Sequence, residues 1–307
     1  MAETTTIEPA GAAEPEDLPP LRPPTADNGL FAVFHRRYLL RLLVRREISA
    51  RYQGSFLGLM WSYINPLTQF FMYWFVIGFL FQLHKDVPNF PIHLFSALIL
   101  VHFFVETFNA GTAAIVRNRA LVVKMAMPRE MFPVATMLVS LYHVVPQVVI
   151  LVLASVASGW HPDLTGAVAL VLALLIIATI GLSGALLFSA ANVFYRDFGK
   201  AVNVMTHFVR FGVPMMYPYM MVHERFGRFA DYYLINPLAD AVVLFQRAFW
   251  LGTVSDSEQA RLAADGKQIM PDHLLTYGAL ALLGCLVLLA ISQMVFSKLE
   301  NKIPERL

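Results

Sequence analysis

Residues 164–195 read LTGAVALVLALLIIATIGLSGALLFSAANVFY, 32 residues between Asp163 and Arg196 without a single charge. An α-helix rises 1.5 Å per residue, so about 20 apolar residues cross a hydrocarbon core of about 30 Å. This stretch is long enough to cross, and it decides the fold class: an all-α integral membrane protein. Moving outward, Glu130 to Asp163 encloses another 32 charge-free residues, Tyr52 to His84 gives 33, and His273 to Ser297 gives 25. Val87 to Val116 and Ala201 to His223 are comparably long but hold one charge each, Glu106 and Arg210. The gaps predict six transmembrane helices at about 58–82, 93–116, 132–157, 166–190, 201–221 and 273–297.

The composition of the 307 residues agrees: 57% are hydrophobic, only 14% charged, and the mean hydropathy is +0.59. An ordinary soluble domain carries about a quarter charged residues. A formal net charge of +2 argues against nucleic acid as a partner, and the lone Cys285 excludes a disulfide framework and a cysteine-ligated zinc site.

Lys and Arg set the orientation, because cytoplasmic flanks carry the excess of positive charge. With both termini cytoplasmic, the inner side holds Arg36, Arg37, Arg41, Arg45, Arg46 and Arg51, then Arg117, Arg119, Lys124 and Arg129, then Arg196 and Lys200, then Lys298, Lys302 and Arg306. The first outer loop holds only Lys85 and the second none. Residues 1–28 are rich in proline and acid, which predicts a disordered cytoplasmic tail, and 301–307 form a second short one.

Residues 29–51 alternate arginines with Leu30, Phe31, Phe34, Tyr38, Leu39, Leu42 and Leu43. Most of these apolar positions fall on one arc at helical spacing, with Arg36, Arg37 and Arg41 opposite and Arg46 breaking the pattern. They read as an amphipathic helix in the cytoplasmic interface, or as a plain positive flank ordered by the next helix. The remaining 52–300 form the six-span domain, with an extracytoplasmic segment at 222–272. The stretch from Tyr217 to Phe249 is aromatic but too interrupted by charge to cross. It predicts short re-entrant or surface helices, with a folded loop as the alternative.

The motif search excludes most chemistry. There is no G-x-x-x-x-G-K-[ST], so the chain has no phosphate-cradling loop of its own; H-E-x-x-H and G-x-S-x-G are missing too. The nine histidines show no ligand spacing with carboxylates nearby, no metal site is predicted, and no internal repeat is evident. Glu106 and Arg210 are costly in a bilayer and lie at similar depth, each about ten residues from the inner end of its span. They predict an ion pair within or between subunits, unless each finds its own water or backbone partner. The aromatics of the first and fifth spans, notably Tyr63, Phe70, Tyr73, Trp74, Tyr217 and Tyr219, read mostly as lipid-facing bulk. A stripe of them lining a path for sugar rings is the sharper alternative, since aromatic faces pack on apolar C–H faces.

Several stretches together resemble a known family. Arg51-Tyr52, Ser55, Leu57-Gly58, Trp61 and Pro66 (RYQGSFLGLMWSYINP, 51–66) resemble the start of type-2 ABC exporter permeases for polysaccharides. Asn118, Leu121, Lys124 and Pro128-Arg129 are similar to that family's first inner loop, Arg196-Asp197 to its second, and Asn236-Pro237-Leu238 to the segment after its fifth span. The resemblance implies a homodimeric permease in the bacterial cytoplasmic membrane, engaged by two copies of a separate ATPase subunit. That subunit would hold the ATP and magnesium, leaving this chain without cofactor. Arg117, Asn118, Leu121, Lys124, Pro128, Arg129, Arg196 and Asp197 would couple to it. The cargo would be a polyprenyl-diphosphate-linked glycan such as O-antigen, teichoic acid, capsule or galactan. Arg45, Arg46 and Arg51 would meet its diphosphate or, alternatively, anionic membrane lipid. A permease for a smaller amphiphile, a membrane transferase and an ion-coupled carrier using Glu106 are the rival functions.

Overall fold

The computed structural model describes residues 29–307 apart from Asp86 and Ala126, so the tail expected over 1–28 lies outside the described residues. Every regular element among the described residues is helical. Four helices are long and apolar enough to cross a membrane: α4 (Phe90–Arg117), α6 (Met131–Ala157), α7 (Leu164–Phe194) and α13 (Leu274–Glu300). Each coincides with one of the predicted spans.

Ahead of them, α1 (Leu30–His35) and α2 (Arg37–Tyr52) form a kinked pair, and α3 (Trp61–Tyr73) covers the first predicted span. That span stays helical from Gly58 to Leu80, but it begins in a 3-10 turn and widens into π-helical turns over Trp74–Leu80. Pro66 lies inside α3. It has no N–H, so the Ser62 carbonyl four residues back is released, and it accepts from the Gln147 side chain of α6 at 3.4 Å.

The fifth predicted span, 201–221, is not one continuous helix. Helix α8 (Asp197–Val209) has only 13 residues and stops before the turn that holds Gly212 and Pro214. At 1.5 Å per residue it reaches about 20 Å, short of the hydrocarbon core. The carbonyls left over in that turn are met by side chains. Phe211 O accepts from Tyr217 at 2.8 Å, Gly212 O from Asn236 at 3.3 Å and Pro214 O from Gln246 at 2.9 Å. Irregular backbone at this depth is tolerable only with such internal partners.

Short helices follow: α9 (Tyr219–Phe226), α10 (Ala230–Tyr233), α11 (Pro237–Phe249) and α12 (Asp256–Ala264). Of these, α11 is the deepest, with all residues from Ala239 to Gln246 buried against α4, α7 and α13. The chain also contains a short α5 (Arg119–Lys124) after α4 and α14 (Ile303–Arg306) at its end.

Helix α4 is the centre of the bundle; 83% of its apolar window is buried, against 17% for α13. Small residues bring α7 close to it: a Cβ on Gly111 would lie 2.4 Å from the Ala185 Cβ, and one on Gly184 would meet the Phe108 ring at 2.8 Å. Without a hydrophobic drive between helices in lipid, such close backbone approach is a main source of association.

One end of the bundle gathers the C-termini of α4, α7 and α13, the start of α6, and α1, α2, α5 and α14. A second core built on Leu40, Leu43, Ile115, Phe132, Leu186 and Phe296 joins them. The opposite end is stitched by Trp250 to Pro88 O (2.6 Å), Trp160 to Ala248 O (2.9 Å) and Arg247 to Asp163. Asp163 caps α7, and its carboxyl is held down at about 2, first by the hydrogen bonds from Arg247 and then by Thr165.

Candidate functional site at the arginine-rich end

The predicted apolar arc of residues 29–51 divides into two faces. Val33, Leu40 and Leu43 are buried against the bundle, whereas Phe31, Phe34, Tyr38 and Leu42 stand exposed at i, i+3, i+7 and i+11, a single stripe. The same helix pair therefore grips the protein on one side and presents an apolar ridge on the other.

Glu47, one helical turn before Arg51, reaches across to the end of α4. It accepts from Arg117 at 2.7 Å and from the Asn118 amide at 2.9 Å. Asn118 is buried, and both of its polar atoms are occupied: Oδ1 accepts from Arg46 at 2.9 Å, and Nδ2 also donates to Ala114 O at 3.1 Å. This one side chain ties α2, α4 and the start of α5 together.

Beyond it, α5 buries Val122 and leaves Arg119, Val123, Lys124 and Met125 outward. Leu121 is half-buried in the second core and Pro128 is buried. Arg129 turns inward, donating to Glu300 O at 3.0 Å and lying 3.4 Å from that residue's carboxylate. Its neighbour Glu130 is fully buried; Oε1 accepts from the Gly29 amide at 3.0 Å and from Gln293 at 2.8 Å. The loop between α4 and α6 is thus fastened to the first residue of the elbow and to the last long helix. Arg196 and Asp197 are exposed on the neighbouring turn, with Lys200 3.6 Å from Asp197.

The intramembrane charges are rearranged relative to expectation. Glu106 pairs with Arg51 and lies 3.2 Å from His143 Nδ1. Arg210 instead lines a narrow crevice with Gln69, Tyr73, His102 and Met215, and among the described residues it meets no carboxylate. The predicted pair therefore fails within one chain. The α2–α3 corner brings Arg51 to Glu106 first, and α8 ends where Arg210 begins. His143 continues the network, its Nε2 lying 2.8 Å from the Tyr52 hydroxyl, which in turn bonds Ser62.

Arg51 and Glu106 separate two recesses. One of about 400 Å³ is walled by Glu47, Asn109, Arg117 and Thr136 besides the pair itself. The other, about 170 Å³, is walled by Tyr52, Trp61, Asn65, His102 and His143 as well. Glu106 Oε2 and His102 Nδ1 are buried and take no hydrogen bond among the described residues.

Two of the aromatic candidates point elsewhere. Tyr219 is 2% exposed, inside the large core, and Phe70 packs edge-on to Phe95 at 5.1 Å. Tyr63 is half-buried, Tyr73 accepts from Gln69 at 3.1 Å, Trp74 is exposed, and Tyr217 shares a 2.9 Å hydrogen bond with Tyr233. Arg45 is exposed. Among the described residues no group of side chains suits a metal ion. The sequence reading assigns no role to Glu47, His102, His143 and Glu130, and quotes Tyr52 only within the resembling stretch. A signal was present for two of them, since Glu47 with Arg51 and His102 with Glu106 share an i, i+4 helical face.

These features define a multi-pass membrane protein with an arginine-rich polar network at one end of the bundle. Residues 38–250 match the ABC-2 type transporter family, and the chain belongs to it. It is 28% identical over 230 residues to the O-antigen export system permease protein RfbA of Myxococcus xanthus, covering 74% of this chain and 85% of that one. The permease of the same name from Klebsiella pneumoniae is 25% identical over 219 residues, 71% of this chain and 82% of the relative.

Proposed function

We propose that the chain is the permease subunit of an ATP-driven exporter that moves a polyprenyl-diphosphate-linked polysaccharide across the cytoplasmic membrane. The observation that carries this reading is the similarity to O-antigen export permeases over most of both chains. In this reading the chain is no enzyme. It crosses the membrane six times with both termini inside, α3 and the α8 turn completing the four long spans. Residues 29–51 lie in the cytoplasmic interface, where the ridge of Phe31, Phe34, Tyr38 and Leu42 enters lipid.

Two copies act as a homodimer with two copies of a separate ATPase. The docking face is α5 with its flank: Val123 (56% exposed) and Met125 (44%) form an apolar centre between Arg119 and Lys124. Arg196 and Asp197 frame it. Nucleotide and magnesium belong to the ATPase. Closure of that subunit presses on α5, and the clamps of Asn118, Arg129 and Glu130 pass the movement to the elbow and the bundle. Arg45, Arg46 and Arg51 receive the diphosphate, since guanidinium forks match phosphate oxygens.

The test is co-purification of the tagged chain from cells, with surface polysaccharide measured in parallel. An ATPase should come down with it, and removing the chain should strand the glycan on its lipid carrier inside. Export that continues without the chain overturns the reading.

A further inference from the structure

The two recesses divided by the Arg51–Glu106 pair differ in chemistry. The larger holds two guanidiniums, Arg51 and Arg117, each already facing a carboxylate. The smaller has one cation but many groups that make single hydrogen bonds: Asn65, His102, His143 and Ser62. It also has an indole, Trp61, 46% exposed. Its volume of about 170 Å³ is on the scale of one six-membered ring. Glu106 and His102 line it, and one polar atom of each, Oε2 and Nδ1, is buried without a partner among the described residues. A buried acceptor left bare is costly, and a hydroxyl-bearing ligand removes the cost once the side chain turns toward the recess.

From this geometry we infer that the small recess is a subsite for a single sugar ring attached directly to a phosphate, with the phosphate end in the larger recess. The inference rests on the glycan-export reading and deepens it. The ring's hydroxyls donate to Glu106 and bond Asn65 and His102, while its C–H face lies on Trp61. The phosphate oxygens compete with Glu106 for Arg51. Glu106 keeps its hydrogen bond to His143 when Arg51 is drawn away, so it is not left isolated. The site therefore reads the first sugar together with its phosphate, and the pair at the divider changes partners as the ligand enters.

The test uses the full-length chain in lipid nanodiscs and two probes, a polyprenyl diphosphate and the same lipid carrying one N-acetylglucosamine. The sugar-bearing lipid should bind about tenfold tighter, the worth of one or two good hydrogen bonds. Asn65→Ala and Trp61→Leu should collapse that preference. A second readout does not depend on those side chains. Ser55 is exposed at the rim and the native Cys285 is buried, so Ser55→Cys gives one reactive thiol. The sugar-bearing lipid should slow its alkylation several-fold more than the bare diphosphate does. Equal binding of both lipids, or equal protection by both, overturns the subsite. Export measured in cells stays informative in that case, because loss of discrimination in vitro leaves the transport assay to judge the wider reading.

Discussion

Gly111→Ala tests what holds the bundle together. The added methyl would sit 2.4 Å from the Ala185 Cβ and 3.2 Å from its Cα. Carbon atoms rest at about 3.5–4.0 Å, so α4 and α7 must part by about 1 Å where they cross. Overpacking of this kind costs about 1–3 kcal/mol. By the scaling for folded domains that lowers the melting temperature by about 2–10 °C, readable by fluorescence-detected size exclusion in detergent. The paired change sharpens the test. Ala185→Gly removes the obstructing methyl but costs about 1 kcal/mol in helix propensity. In the double variant the nearest remaining neighbour of the new methyl is the Ala185 Cα at 3.2 Å, within reach of a small shift. The double variant should therefore be more stable than the sum of the two single losses. Strict additivity, or a neutral Gly111→Ala, would refute close backbone packing as the source of the α4–α7 contact.

Three further outcomes are expected. The folded pKa of Asp163 is depressed to about 2, so the stability it contributes is present above its unfolded value near 3.8 and fades as pH falls toward 2; the gap in melting temperature between the native chain and Asp163→Asn should be constant from pH 7 to 5 and close below 4. Glu130→Ala removes the acceptor for the Gly29 amide and for Gln293, each hydrogen bond being worth about 0.5–1.5 kcal/mol; amide exchange over 29–35 should accelerate several-fold, and unchanged protection there would show that the clamp carries no load. Val123→Asp with Met125→Asp alters only exposed side chains, so the melting temperature should hold within about 2 °C while ATPase co-purification drops several-fold; intact co-purification would move the docking face away from α5.

Charge-free length made α6, α7 and α13 legible, and a stretch with a single charge did so for α4, because a bilayer admits few alternatives for such segments. The same criterion does not reveal the break inside 201–221. The composition there is apolar enough, but Gly212 and Pro214 end the helix, and the carbonyls they release are satisfied by Gln246, Asn236 and Tyr217 from elsewhere in the chain or turn. Those partners are invisible when hydropathy is averaged. The loop between α4 and α6 stands out in the sequence by its basic residues and its resemblance. Its anchors do not, since Glu47 and Glu130 look like ordinary flanking acids until α2 and α13 are brought beside them. Glu106 stands out in the sequence as a lone charge in an apolar stretch. Its partner was not found, because depth along two spans says nothing about which helix corner stands between them.

Glu106 and Arg117 ride on the same helix, eleven residues apart, which is about 16 Å of continuous α4. Neighbours hold that helix on nearly every side. A shaft so confined transmits thrust without buckling: a push at its exposed tip arrives at the buried acid as sliding or twisting of the whole piece. In the proposed exporter, engine and latch would then need no relay of flexible parts between them, and the stiffness of one rod would fix their timing.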